Sequence, residues 1–357
     1  MKRKTFLSII FIVIIAGSLS GTYIYYNYFK PAEYSVELPH GLYVNASVPI
    51  GVATNSHSLK TDSLYREKSL TNFNLITGEW QMKWGQLENA SGQYNFEEFD
   101  YLVDFAESHG MKVHGYTLIW HEDIPDRIRY FNGTAEELEQ IMKNHIQTVV
   151  GHYKGRIQSW DVVNEAFDKT FYRNTTFYRI LGKDYLAKAF QWVHEADPDA
   201  ILYYNDYDMI KHPEKAQFVI SELSSFINAG VPIHGIGEQA HMQLHTLNLT
   251  NVEIGIGLFN NFGLPIRISE LDIALNRDGR YHAYTKPLAE QQKEAYYQLV
   301  RKFGLFNNLT SITLWGFSDD ASWLNYQRGY PEWPLLFDRN YNPKPCALGF
   351  LEALKKI

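Results

Sequence analysis

Two glutamates stand in matching contexts in this sequence. Trp160-Asp161-Val162-Val163-Asn164-Glu165 and Ile266-Arg267-Ile268-Ser269-Glu270-Leu271-Asp272 each carry an apolar, β-branched run that delivers a carboxyl group at or near its end. Two carboxyls brought to one bond can divide the work, one transferring a proton and the other attacking carbon or activating water. Taken singly, a strand-end glutamate is more often an ion-pair partner or a solvated residue. Asn164 can donate to a ligand hydroxyl or to a carboxylate, or simply close a turn.

The elements that must position these groups repeat along the chain. Eight short apolar runs end in polar or aromatic residues: Ile50–Thr54, Phe73–Thr77, Val113–His121, Ser159–Glu165, Ile201–Asp206, Gly235–His241, Ile266–Asp272 and Ile312–Gly316. Such runs suit strands buried on both faces. Helical patterns lie between them at Phe96–His109, Leu138–Val150, Lys183–Ala196, Pro213–Ala229 and Glu290–Phe303, with Thr134 and Glu137 reading as a capping box. The alternation predicts an α/β fold, a single (β/α)8 TIM barrel over residues 31–357; a doubly wound sheet is the runner-up, because alternation alone does not show closure. A barrel puts its chemistry at the C-terminal strand ends. There the sequence places Glu79, His121, Asn164, Glu165, Asn205, Asp206, Gln239, His241, Glu270, Asp272 and Trp315. Strands four and seven face each other across a barrel mouth, so Glu165 and Glu270 can flank one bond. Retaining glycoside hydrolysis requires carboxyls ~5–5.5 Å apart, and an inverting mechanism a wider gap.

The ordered motifs resemble glycoside hydrolase family 10, the endo-1,4-β-xylanase family. Trp160–Glu165 is similar to its acid/base motif and Glu270-Leu271-Asp272 to its nucleophile motif. Gln239-Ala240-His241, Asn205-Asp206-Tyr207, Leu314-Trp315-Gly316 with Ser322-Trp323, and Pro334–Asp338 with Pro343-Lys344-Pro345 match further motifs of the family. The resemblance runs from about Ile50 to Leu354. It implies a retaining endo-β-1,4-xylanase in which Glu165 is acid/base and Glu270 nucleophile, aided by His241, Asp272 and Asn164. It also implies that Glu79, Lys83, His121, Gln239, Tyr207, Trp315 and Trp323 bind substrate. Trp315 and Trp323 would offer apolar faces to sugar rings, the alternative being core packing; His241 is otherwise a satisfied core histidine. The chain departs from the family pattern at Trp80 (usually Asn), Tyr116 (His), Glu122-Asp123 (Ser-Gln) and Arg127 (Trp), most of them where the non-reducing part of the substrate would lie. A substituted xylan or another β-glycan is therefore an open reading of the substrate, and a non-catalytic carbohydrate-binding barrel is the non-enzymatic alternative.

Composition narrows the field. The net charge is −7, more acidic still once Lys2, Arg3, Lys4 and Lys30 are set aside, which disfavours a nucleic-acid partner. Aromatic residues make up 15% of the chain, which fits a large aromatic core and also a sugar-stacking cleft. One cysteine, Cys346, rules out an intrachain disulfide and a thiolate metal cluster. No metal or organic cofactor is expected, since no phosphate-binding loop or metal-ligand spacing is present. At the N-terminus, Lys2-Arg3-Lys4 precedes an uncharged stretch from Thr5 to Phe29. Residues 1–30 thus read as a signal peptide or membrane anchor, giving an extracytoplasmic enzyme, secreted or tethered, whose partner is a polysaccharide and whose only membrane contact is that segment.

Overall fold

The computed structural model describes residues 22–90 and 92–357. Eight parallel strands form the wall: β1 (Ile50–Thr54), β2 (Leu75–Gly78), β3 (Lys112–Gly115), β4 (Ser159–Asn164), β5 (Ile201–Asp206), β6 (Gly235–Glu238), β7 (Ile266–Ala274) and β8 (Leu309–Leu314). Each pairs with its sequence neighbour, and β8 pairs with both β7 and β1 (Ile50 opposite Ile312), so the sheet closes. Closure decides for the barrel and against the doubly wound sheet.

The helices pack outside this wall, as their periodicity predicted. Glu97–Ser108 buries Phe99, Leu102, Val103 and Ala106. Ala135–His152 begins at the expected capping box, Thr134 and Glu137 each accepting from the other's backbone N–H. Leu249–Phe262 starts at Asn248, whose side chain accepts from Thr250 and Asn251, and stops at Gly263, held at φ 84°. Among the buried polar groups of the strands, three form a cluster inside the barrel wall. Asp161 Oδ2 lies 2.8 Å from Arg267 Nη1 and 3.0 Å from His114 Nε2, all buried. Burial opposes the charge on Asp161, but His114 and Arg267 outweigh it and hold its carboxyl below the usual range.

Several expected strand ends fall elsewhere, and three of the differences bear on the cleft or on a helix boundary. The run Val113–His121 is continuous strand only to Gly115; the chain then passes a cis Tyr116–Thr117 peptide and rejoins β4 through a bridge between Ile119 and Val163. Phe73 closes the preceding helix, Ser63–Asn72, and β2 begins at Leu75. β6 stops at Glu238; after Ala240, at φ 59°, His241–Gln243 pairs instead with the outer end of β7. Each difference falls at the C-terminal end of a strand or at a helix boundary, where side-chain hydrogen bonds compete with the ladder.

The predicted N-terminal segment lies mainly in residues 1–21, outside the described residues; among those described, no helix is long and apolar enough to cross a membrane. Residues 22–28 are helical, and the stretch from Asn27 to Ala32 is strapped to the loop after β7. Tyr28 stacks on Tyr281 at 5.4 Å, Thr285 Oγ1 donates to the Asn27 carbonyl at 3.0 Å, and Ala32 N–H donates to the Tyr284 carbonyl at 2.7 Å.

Candidate active site

β4 and β7 deliver their carboxyls into one cleft of about 640 Å³ at the C-terminal mouth of the barrel. Of the twelve residues expected there, Glu79, Lys83, His121, Glu165, Tyr207, Gln239, His241, Glu270, Asp272, Trp315 and Trp323 line it; Asn164 lies buried directly beneath.

Glu165 turns in because the chain reverses abruptly after Asn164. Its backbone adopts φ 56°, and its N–H is caught by the Asn205 carbonyl at 2.9 Å. Its Oε1 accepts from Gln239 Nε2 at 3.0 Å and, more weakly, from Asn164 Nδ2 at 3.4 Å. Burial raises the Glu165 pKa to about 7, the charges of Asp206 and Glu270 add to this, and the donors Gln239 and Trp120 hold it back. Glu165 therefore keeps its proton up to neutral pH.

Glu270 is held from both sides. Oε1 accepts from Asn205 Nδ2 at 2.7 Å, and Oε2 lies 3.3 Å from His241 Nε2. His241 Nδ1 lies 2.9 Å from Asp272 Oδ2, which also accepts from Trp323 Nε1 at 2.8 Å. Burial opposes protonation of His241, but Asp272 and Glu270 together raise its pKa to about 10. As an imidazolium it places its positive charge between both carboxylates at once. Asn205 is seated by Ser269, whose hydroxyl donates to Asn205 Oδ1 at 2.7 Å, and by the missing side chain of Gly237. A Cβ on Gly237 would lie 2.2 Å from Asn205 Oδ1. Asn164 closes the network: its carbonyl accepts from Asn205 Nδ2 at 2.9 Å and Gln239 Nε2 at 3.3 Å, and its amide donates to the Tyr116 hydroxyl at 3.3 Å. One chain of amides thus ties the two carboxyls together beneath the cleft.

Around this centre the cleft is aromatic and charged. Tyr116 and Trp315 meet edge to face at 4.8 Å. Burial raises the Glu79 pKa to about 7 against the pull of Lys83, whose own pKa is lowered by burial. The Lys83 ammonium sits 4.2 Å from the Trp80 ring centre and 5.0 Å from that of Trp120. His121 is kept neutral near pH 7, its pKa lowered to about 4 by burial and by Arg173 and Arg129. His121 Nδ1 is buried without a hydrogen-bond partner among the described residues.

The sequence reading missed Arg173 and Trp120 as site residues. Arg173 Nε donates to the Glu165 carbonyl at 3.0 Å, and its Nη2 donates to the Tyr207 hydroxyl at 2.6 Å. It arrives from a short hairpin, Phe167–Asp168 with Phe171–Tyr172, that no periodicity announces. Trp120 was visible as an aromatic residue at a strand end. Of the positions that depart from the family pattern, Trp80, Tyr116, Glu122 and Asp123 line the cleft. Arg127 does not: it pairs with the buried Glu88, so its link to substrate choice is withdrawn.

A family profile described as glycosyl hydrolase family 10 matches residues 40–353. The chain belongs to glycosyl hydrolase family 10. Among its relatives, endo-1,4-beta-xylanase B of Thermotoga neapolitana is 37% identical over 88% of this chain and 90% of its own length. Beta-1,4-xylanase of Dictyoglomus thermophilum is 40% identical over 79% and 82%. Xylanase 10B of Thermotoga petrophila, solved in complex with xylobiose, superposes with a TM-score of 0.82 at 37% identity, covering 91% of this chain and 99% of that one. Family membership agrees with the eight-stranded barrel and with the paired carboxyls at its mouth.

Proposed function

We propose that this family 10 chain is a retaining endo-β-1,4-xylanase that cuts xylan by double displacement. Glu270 attacks the anomeric carbon while Glu165 gives its proton to the departing glycosidic oxygen; the C–O bond breaks and an ester forms to Glu270. Water then attacks the same carbon, passing its proton to Glu165 as the ester bond to Glu270 breaks. The sugar configuration is retained because the carbon is inverted twice. Asn205 and the imidazolium of His241 orient the nucleophile, and Gln239 orients the acid.

One observation carries this reading. In a single cleft stands one carboxyl held protonated up to neutral pH and another whose two oxygens are both met by hydrogen-bond donors. That division of labour is what an acid and a nucleophile require. The relatives' names supply xylan as the substrate. Product analysis on xylan and on cellulose tests it, together with mass spectrometry of enzyme treated with a 2-fluoro-xylobioside. Short xylo-oligosaccharides and an adduct on Glu270 are expected. Release of cellodextrins instead would move the substrate to a β-glucan, and an enzyme inert on both would leave a sugar-binding barrel. The same proposal places the enzyme outside the cytoplasm, secreted or held by its N-terminal segment, on the strength of Lys2-Arg3-Lys4 ahead of an uncharged stretch. Cell fractionation with N-terminal sequencing checks that placement.

A further inference from the structure

Trp80 stands between two cavities. One is the cleft described above; the other, of about 330 Å³, lies behind it and is bordered by Ser56, His57, Gln81, Gln86 and Asn95 among others. Trp80 is 44% exposed, unusual for so large a residue beside the half-buried Glu79 and the buried Lys83. The Lys83 ammonium lies over the ring at 4.2 Å on the cleft side. The rest of the ring is left to border the second cavity.

Hydrogen bonds link the two cavities. Gln81 Nε2 donates to Ser56 Oγ at 3.1 Å, and Gln86 Nε2 donates to Asp123 Oδ1 at 3.0 Å, so groups of the rear cavity are tied to a cleft residue. Its size sits at the lower end of the ~300–1,000 Å³ typical of small-ligand pockets, room for one ring and not for a chain. Its lining combines aromatic rings with amides, a hydroxyl, an imidazole and the Lys60–Glu98 ion pair, groups that can stack on and hydrogen-bond to a polyhydroxylated ring. Lys60, the lysine in the lining, already pairs with Glu98 at 2.7 Å. An anionic branch would therefore find no uncommitted lysine here.

We propose that the cavity behind Trp80 receives a neutral pentosyl branch carried by the backbone sugar bound beside Glu79 and Lys83, with Trp80 as its stacking wall. This rests on the xylanase reading and names a substrate class for it: arabinosyl-substituted rather than uronosyl-substituted xylan. Trp80 is then a specificity-determining residue, not a catalytic one.

The test compares kcat/KM on linear xylotetraose with kcat/KM on xylotetraose bearing a single arabinofuranosyl or a single 4-O-methylglucuronosyl branch on the non-reducing side. The parent enzyme is expected to cut the arabinosyl substrate within about threefold of the linear one, and the uronosyl substrate at least tenfold less well. His57→Trp, an exposed position outside the cleft, fills the cavity. It is expected to lower the arabinosyl-to-linear ratio about tenfold or more while leaving the linear rate unchanged. Trp80→Ala is expected to lower the same ratio. A ratio unmoved in both variants overturns the proposal, as does a parent enzyme that prefers the uronosyl branch. A parent enzyme inactive on linear xylotetraose overturns the xylanase reading itself, and this proposal with it.

Discussion

Replacing Glu165 by Gln removes the transferable proton and keeps the volume of the side chain, so it isolates the acid step. With its pKa at about 7, Glu165 is protonated in about nine-tenths of molecules at pH 6 and in about one-tenth at pH 8. On xylotetraose, whose leaving group is a poor one, parental kcat/KM should fall tenfold per pH unit above 7. The Glu165→Gln variant should lose ~10²–10⁴-fold at pH 6. That is ~3–5 kcal/mol of transition-state stabilisation at about 1.4 kcal/mol per decade. Its alkaline limb should vanish with the proton. A dinitrophenyl xylobioside needs no protonation to leave, so the variant should form its glycosyl-enzyme in a normal burst and then stall for want of a base. Added azide, which needs no base, should restore turnover and yield a β-glycosyl azide. The assays are a pH series of kcat/KM and stopped-flow release of dinitrophenolate. The acid assignment is refuted by a variant that keeps an alkaline limb near pH 7, or by one that loses equally on both leaving groups.

Four other perturbations have defined outcomes. Glu238 is fully buried, accepts from the Ala240 and Ile210 N–H groups, and has its pKa raised to about 7 by burial. The folded state therefore holds a proton that the unfolded state releases near pH 4.5, so stability falls as pH rises from there through 7. Glu238→Gln keeps one acceptor but sets its amide NH2 group against the other backbone N–H, so it should cost ~1–3 kcal/mol at pH 4, with the deficit shrinking as pH rises through 7, read from calorimetric melting. Arg267→Met leaves Asp161 in the barrel interior with His114 as its remaining partner and should cost ~3–5 kcal/mol in urea unfolding. Gly237→Ala pushes Asn205 off Glu270 and should cut kcat/KM about 10–100-fold, while the overpacking beside buried Asn205 costs ~1–3 kcal/mol of stability. Deleting residues 1–33 should lower stability by ~2 kcal/mol relative to deleting residues 1–21, because it removes the Tyr28–Tyr281 stack and the strap's hydrogen bonds with Thr285, Tyr284 and His282; paired melting curves decide it.

The barrel was legible because its signal is repetitive: eight buried strands must each be apolar, and each must be followed by an amphipathic return. The carboxyl pair was legible because strand ends converge in a barrel, so residues far apart in sequence meet by topology alone. What escaped was everything set by loops. Arg173 reaches the Glu165 carbonyl only because a short hairpin folds back, and nothing in Phe171-Tyr172-Arg173 states that direction. Arg127 misled for the same reason: its place where the family pattern has a tryptophan says nothing of Glu88, which captures it from 39 residues away. The role of Asn205 as the hinge of the whole network depended on Gly237, whose significance is a side chain it does not have.

The left-handed backbone at Glu165 has a consequence for how this position can be emptied. An alanine placed there must hold the same disfavoured rotation with no carboxyl anchored to Gln239, at a cost on the order of 1 kcal/mol, whereas glycine adopts it freely. Gly, not Ala, is thus the gentler deletion. A Glu165→Gly protein should melt above its Glu165→Ala counterpart while being just as unable to protonate an oxygen, which separates the relaxation of the chain from the loss of the acid.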